Sequence, residues 1–225
     1  MGAVCDPIDN PEIYLRAAEE SGLRLVYVID THVHADHISG ARKLAELAGA
    51  QYVLHASAHA EFPFLAAREG DVLSLGNVEI RILHTPGHTP EHILLLVTDK
   101  TRGNEPWFAL TGHTLMVGDM GRTELATSPE EGARALFESA QKIMALPDYL
   151  EVLPGAFAGS VCGRSLSGKP ASTIGFERRH NRALQIHDRD EFIHFMIQDI
   201  PPRPPLAEYI RRVNTGERHT LSGLS

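Results

Sequence analysis

In Thr31-His32-Val33-His34-Ala35-Asp36-His37, three imidazoles and a carboxylate occupy six residues, directly behind the apolar run Leu23 to Ile29. That run is β-branched and aliphatic, too short for a helix, and ends at Asp30 and Thr31, so it reads as a strand emptying into a histidine-rich loop. So many polar rings are hard to explain as packing. Alternate residues of an extended segment point the same way, so His32 and His34 can converge on one point while Asp36 and His37 face a neighbouring one. Imidazole suits zinc and iron, and an added carboxylate suits iron in particular.

Two further groups repeat the arrangement. His84-Thr85-Pro86-Gly87-His88-Thr89-Pro90-Glu91-His92 also follows a strand, and its Pro-Gly turn would expose the ring of His88. Thr111-Gly112-His113 lies between two apolar segments. Three strand-end loops, each offering a histidine, predict one convergent metal site built from His32, His88 and His113, with His34 beside it. His84 and His92 are open to two readings, as groups that orient a ligand ring or as ordinary polar residues.

Outward from these loops, the spacing predicts helices from Asn10-Pro11 to Gly22, over 41–48, from Ser128 to about Met144, and over 173–181, 190–197 and 205–213. Strands are expected at 51–54, 71–75, 78–83, 93–98, 107–110, 115–117 and 152–153, with a hairpin across Gly76-Asn77. Strands in groups with helices before, between and after them suggest two sheets packed on each other with helices outside. No internal repeat or linker interrupts the 225 residues, and a single domain over 1–225 is expected.

With 29 acidic against 21 basic residues the net charge is -8, which argues against a nucleic-acid partner or a basic membrane-binding face. The two cysteines, Cys5 and Cys162, form no disulfide framework and suit a reducing compartment. Residues 1–10 have neither a basic start nor an apolar run, and nothing later approaches the roughly 20 apolar residues of a membrane span. A cytoplasmic protein without a membrane partner is the expectation.

The run His32-Val33-His34-Ala35-Asp36-His37 has the form of the metallo-β-lactamase superfamily signature. With Thr31 to Gly40, His84 to His92, Gly118 to Thr123 and Ser172 to Arg179, the chain resembles one branch of it, the persulfide (sulfur) dioxygenases, from about Cys5 to Asn214. The resemblance implies an α/β (α+β) fold, an αββα four-layer sandwich with its site at the sheet edges. It also implies one iron(II), and oxidation of glutathione persulfide by dioxygen to sulfite and glutathione. In that branch the iron is held by the first signature histidine, the histidine of the Pro-Gly-His turn and an aspartate of a Thr-Gly-Asp segment, positions filled here by His32, His88 and His113.

Three departures qualify the likeness. His113 stands where the branch has aspartate, so one negative charge leaves the metal shell, and three histidines plus water is also a catalytic zinc pattern. Ala156 and Phe157 stand near the place of a histidine that serves the second zinc of two-metal hydrolases. Cys5-Asp6-Pro7 matches a point well inside the relatives' N-terminal region, so the first strands are expected to be missing, leaving a sheet edge that a homodimer could cover.

Asp36 and His37 are the candidate catalytic groups around the metal. Arg164, Arg178 and Cys162 are the candidate contacts for a small thiol substrate, glutathione persulfide or a glutathione thioester, since an arginine fork can hold a carboxylate bidentately. Two rivals remain open: a zinc hydrolase of thioesters or lactones resembling glyoxalase II, and a degenerate metal-binding member without activity.

Overall fold

The computed structural model describes residues 1–160, 162–164 and 166–217. In chain order it contains β1 (Gly2–Cys5), α1 (Pro11–Glu20), β2 (Leu25–Ile29), α2 (Ala41–Ala48), β3 (Gln51–His55), β4 (Leu65–Ala67), β5 (Val72–Leu75), β6 (Val78–His84), β7 (Ile93–Asp99), β8 (Phe108–Gly112) and β9 (Leu115–Met116). There follow β10 (Asp119–Met120), α3 (Pro129–Met144), β11 (Glu151–Pro154), β12 (Ser172–Thr173), α4 (Ile174–His180), α5 (Arg189–Ile197) and α6 (Ala207–Thr215). None of the described helices is long and apolar enough to cross a membrane.

A parallel sheet in the order β1-β2-β3-β4 faces a mostly antiparallel sheet in the order β12-β11-β8-β7-β6-β5. Period-two alternation divides each strand between two cores. In β7, Ile93, Leu95 and Val97 pack into the layer between the sheets with Ile29 and Val53, whereas Leu94 and Leu96 face Leu136, Ile143 and Phe192 of α3 and α5. In β3, Val53 points between the sheets while Tyr52 and Leu54 point at Leu44 and Ala45 of α2. Four layers follow, α1/α2, sheet, sheet, α3/α4/α5, the αββα sandwich.

Most predicted elements lie within a residue or two of their observed bounds. Four strands went unpredicted, namely β1, β4, β10 and β12, each of two to four residues and too short to display a period. Of these β1 matters most. The first residues do form a strand, parallel to β2, and the turn after it delivers Asp6 to the histidine loop.

The loops at the strand ends are held by close approach. Gly87, at φ +141, lets the Pro-Gly-His turn lie on α3: a Cβ there would stand 2.6 Å from the Leu136 Cα. Ser139 of that helix donates to the Pro86 carbonyl at 2.6 Å. Gly87→Ala should therefore push the turn off α3 and cost about 2–4 kcal/mol of stability. Urea unfolding checks this, and a loss under about 0.5 kcal/mol would mean the contact is softer than the geometry indicates.

Candidate metal centre

His32 lies just beyond β2, His88 in the turn after β6, and His113 just past β8. One nitrogen from each of the three rings lies within 4.8 Å of the other two, and all three residues are at most 2% exposed. The hydrogen bonds fix which nitrogens carry protons. His88 Nδ1 faces the Arg122 carbonyl at 2.8 Å, which can only accept, so Nδ1 donates and Nε2 is bare. Thr31 Oγ1 donates to Asp6 Oδ2 at 2.9 Å and so accepts from His32 Nδ1, also at 2.9 Å; His32 Nε2 is then bare too, and it has no protein partner.

His113 completes the set. Its Nδ1 stands 3.3 Å from His88 Nε2, and in the tautomer that carries the proton on Nε2 it too is bare. In that tautomer three lone pairs converge with no proton among them, an arrangement that a cation stabilises and that repels otherwise. The residues fit a metal ion, which His32 and His88 could hold through Nε2 and His113 through Nδ1.

His92 supports this shell. Its Nε2 accepts the backbone N–H of His113 at 3.0 Å, so its Nδ1 donates to the hydroxyls of Thr114 and Thr85, at 2.8 and 3.0 Å. Gly112 (φ +49) is required here, because a Cβ would stand 2.5 Å from His92 Nε2. Burial, reinforced by His113, pushes the His92 pKa down to about 3. Burial likewise lowers His32, His88 and His113, so these rings are neutral donors.

His34, expected beside the metal, is turned differently. Its Nε2 lies 3.0 Å from Asp6 Oδ1 and 3.7 Å from Asp30 Oδ1, and its Nδ1 lies 3.7 Å from Asp36 Oδ1. Burial opposes a charge on this ring. The Asp6 carboxylate at 3.0 Å, with Asp30 and Asp36 each at 3.7 Å, outweighs it and raises the pKa well above the ordinary value, so the charged form of His34 is favoured in a nest of carboxylates. Asp36 also bonds His37 Nδ1 at 3.1 Å. Despite partial burial, the nearby His34 ring and the bond to His37 hold its carboxyl well below the usual range.

The three candidate substrate contacts separate in space. Cys162 is buried, with Sγ within 4.8 Å of Asp36 and His113 donor atoms, and burial with Asp36 nearby pushes its thiol up to about 12. Arg164 borders a cavity of about 550 Å³ with Arg182 and Phe195, but its guanidinium is spent on Asp119, at 2.9 Å, and on the Phe195 carbonyl. Arg178 bonds the carbonyls of Met144 and Leu146 and pairs with Asp148 at the end of α3, among helix-terminal groups rather than among the histidines. Sequence reasoning gave no role to Asp30, which directly precedes the loop, and missed Asp6, Arg211 and Asn214, which reach it from distant segments and carry no local motif.

The model of a family described as the metallo-beta-lactamase superfamily matches residues 3–155. Human mitochondrial persulfide dioxygenase ETHE1 is 30% identical over 194 residues, 85% of this chain and 68% of the human one. A metallo-beta-lactamase structure from Staphylococcus aureus subsp. aureus COL superposes with TM-score 0.88 at 34% identity, over 95% of this chain and 64% of that one. ETHE1 from Myxococcus xanthus gives 0.80 at 30% identity, over 96% and 88%. The chain spans 44% of the beta-lactamase hydrolase-like protein of Xylella fastidiosa and 55% of the hydroxyacylglutathione hydrolase of Cereibacter sphaeroides. It is 28% and 34% identical to these over 82% and 66% of its own length.

Neutral buried rings make the metal-free protein acid-sensitive. In the unfolded chain His32, His88 and His92 take up protons near pH 6.5, whereas in the fold His92 does so only near 3. Between those values the unfolded state binds more protons, so stability falls as the pH falls. The raised His34 runs oppositely: its contribution is complete below about pH 6.5 and is lost as the pH rises through its folded pKa. Denaturation of chelator-treated protein between pH 7 and 4 should lose about 1.4 kcal/mol per pH unit for each such neutral ring; a flat profile would contradict the neutral assignment.

Proposed function

The chain belongs to the metallo-β-lactamase superfamily, and from that premise we propose that it is a single-metal enzyme of the persulfide dioxygenase branch, taking iron(II) and a small thiol persulfide such as glutathione persulfide. Persulfide, dioxygen and water would give thiol, sulfite and two protons. The observation that carries the reading is that His32, His88 and His113 bring three buried rings to one point, whereas in the neighbouring group of His34, Asp36 and His37 the His34 ring lies 3.0 Å from Asp6, and Ala156 offers no further ligand. An iron ion bound to the trio would supply the redox chemistry that side chains alone lack.

The chain's own groups have assignable tasks. Thr31 and the Arg122 carbonyl aim the rings of His32 and His88, and His92 holds the backbone of His113. Asp36, ionised and beside Cys162 and His113, lines the same space and can orient a group bound there by accepting its hydrogen bond. Cys162, protonated and buried, gives the space an apolar wall suited to a sulfur substrate.

A second reading has its own support. Three neutral nitrogens also suit a catalytic zinc, which lowers the pKa of bound water for attack on a thioester, with Asp36 as base. Similarity to the Cereibacter hydrolase covers 66% of the chain against 85% for human ETHE1, and this favours the oxidative reading.

Protein purified without oxygen should hold about one iron per chain and consume dioxygen with glutathione persulfide. Zinc content with thioester hydrolysis would instead establish the hydrolase, and silence in both assays a degenerate member. His113→Asp, which restores the branch's ligand set, should raise iron retention and oxygen uptake by about tenfold. A folded variant with neither gain would remove His113 from the ligand shell.

A further inference from the structure

The loop from His32 to His37 is neither helix nor strand, so its peptide groups lack ladder partners and must find others. Side chains from far along the chain supply them. The Val33 N–H donates to Glu91 Oε1 at 2.9 Å, and the Val33 carbonyl accepts from Arg211 at 2.7 Å. Arg211 and Glu91 stand 3.7 Å apart, so the residue between the two signature histidines is gripped on both its polar groups by one ion pair.

Asn214, one turn further along α6, spends its whole amide on the same loop. Its Nδ2 donates to the carbonyls of His34 and His37 at 3.0 and 2.9 Å, and its Oδ1 accepts the Ser39 N–H at 2.9 Å. Two acceptors on one side and a donor on the other fix the amide's orientation. At the start of α6, buried Ala207 packs on Ala35 of the loop and on Leu125. The stretch leading into the helix is tied to the second ligand loop: Arg122, whose carbonyl orients His88, places its guanidinium on the Pro201 and Pro202 carbonyls.

We propose that Asn214 and Arg211 are positioning residues for the metal, and that α6 is the clamp that sets where His32 stands relative to His88 and His113. Neither side chain reaches the bare nitrogens. They act by fixing the peptides on either side of His34 and the one after His32, from which the ring direction follows. The inference rests on the three-histidine reading of the site but not on the choice between oxidation and hydrolysis.

Cobalt(II) binding to the full chain tests it. Asn214→Ala, the nearly isosteric Asn214→Asp and the stem-preserving Arg211→Met should each raise the cobalt Kd about ten- to a hundredfold, the usual cost of losing a group that orients a metal ligand. They should also shift the visible absorption of bound cobalt. Helix packing alone would leave Asn214→Asp near the parent, because its volume is kept. The clamp instead predicts that it is at least as damaging as alanine, since a carboxylate oxygen would then face two carbonyls. Metal-free melting temperatures separate the effects: the rise in Tm on adding cobalt should shrink more than the metal-free Tm falls. A cobalt Kd within twofold of the parent for Arg211→Met and either Asn214 variant, with an unshifted spectrum, overturns the proposal, and Arg211→Met decides alone if the Asn214 variants do not fold. A parent that binds no cobalt overturns it together with the metal-site reading, whereas tight binding without either enzymatic activity leaves the clamp standing and removes only the proposed reaction.

Discussion

Three imidazole nitrogens buried together form the constraint on which the site depends. A neutral ring at depth needs a donor for its lone pair, and here His32 and His88 have spent their single N–H outward, on Thr31 and the Arg122 carbonyl, while His113 Nδ1 stands 3.3 Å from His88 Nε2. A cation stabilises the arrangement. Much of the surrounding polar structure makes it possible: His92 holds the His113 backbone, Gly112 and Gly87 allow the close approaches, and the buried threonines supply oriented hydroxyls.

Charge is sorted around that trio. The positive ring is His34, displaced onto Asp6 and Asp30, while Asp30 also accepts from Tyr52 and Ser39 at 2.7 Å each. A buried imidazolium among carboxylates is tolerable because each ion is matched. The neutral rings and the charged ring thus lie side by side, separated only by which way the loop points each one. A loop with that task cannot be left to its own conformational preferences, which explains the dense side-chain grip upon its backbone.

The replacement of a ligand aspartate by His113 is the chain's most consequential departure. In the proposed centre it would make the shell electrically neutral, which would favour the lower oxidation state of a bound metal and a more acidic bound water. Asp36 and the protonated Cys162 lie against the same ring, so the charge missing from the shell is partly returned by a neighbour. That placement keeps an oxidative and a hydrolytic use of one scaffold chemically close.

The sequence alone suggested two packed sheets with helices outside and singled out the three histidines, because both are written locally, and the family resemblance made the first an αββα sandwich. Strand period shows in β6 and β7, caps bound α2 and α3, and each of the three histidines sits in a short motif at a strand end. What only the tertiary structure decided is the allocation of roles. Alternation made His34 an equal of His32, yet Asp6, carried in by a four-residue strand with no visible period, pulls it into an ion cluster. Arg164 and Arg178 read as free cations until Asp119 and the end of α3 occupied them. Asn214 and Arg211 have no motif at all, since their function lies in backbone groups nearly 180 residues away. Local pattern records what a residue can do, but hydrogen-bond and charge partners are assigned by contacts remote in sequence.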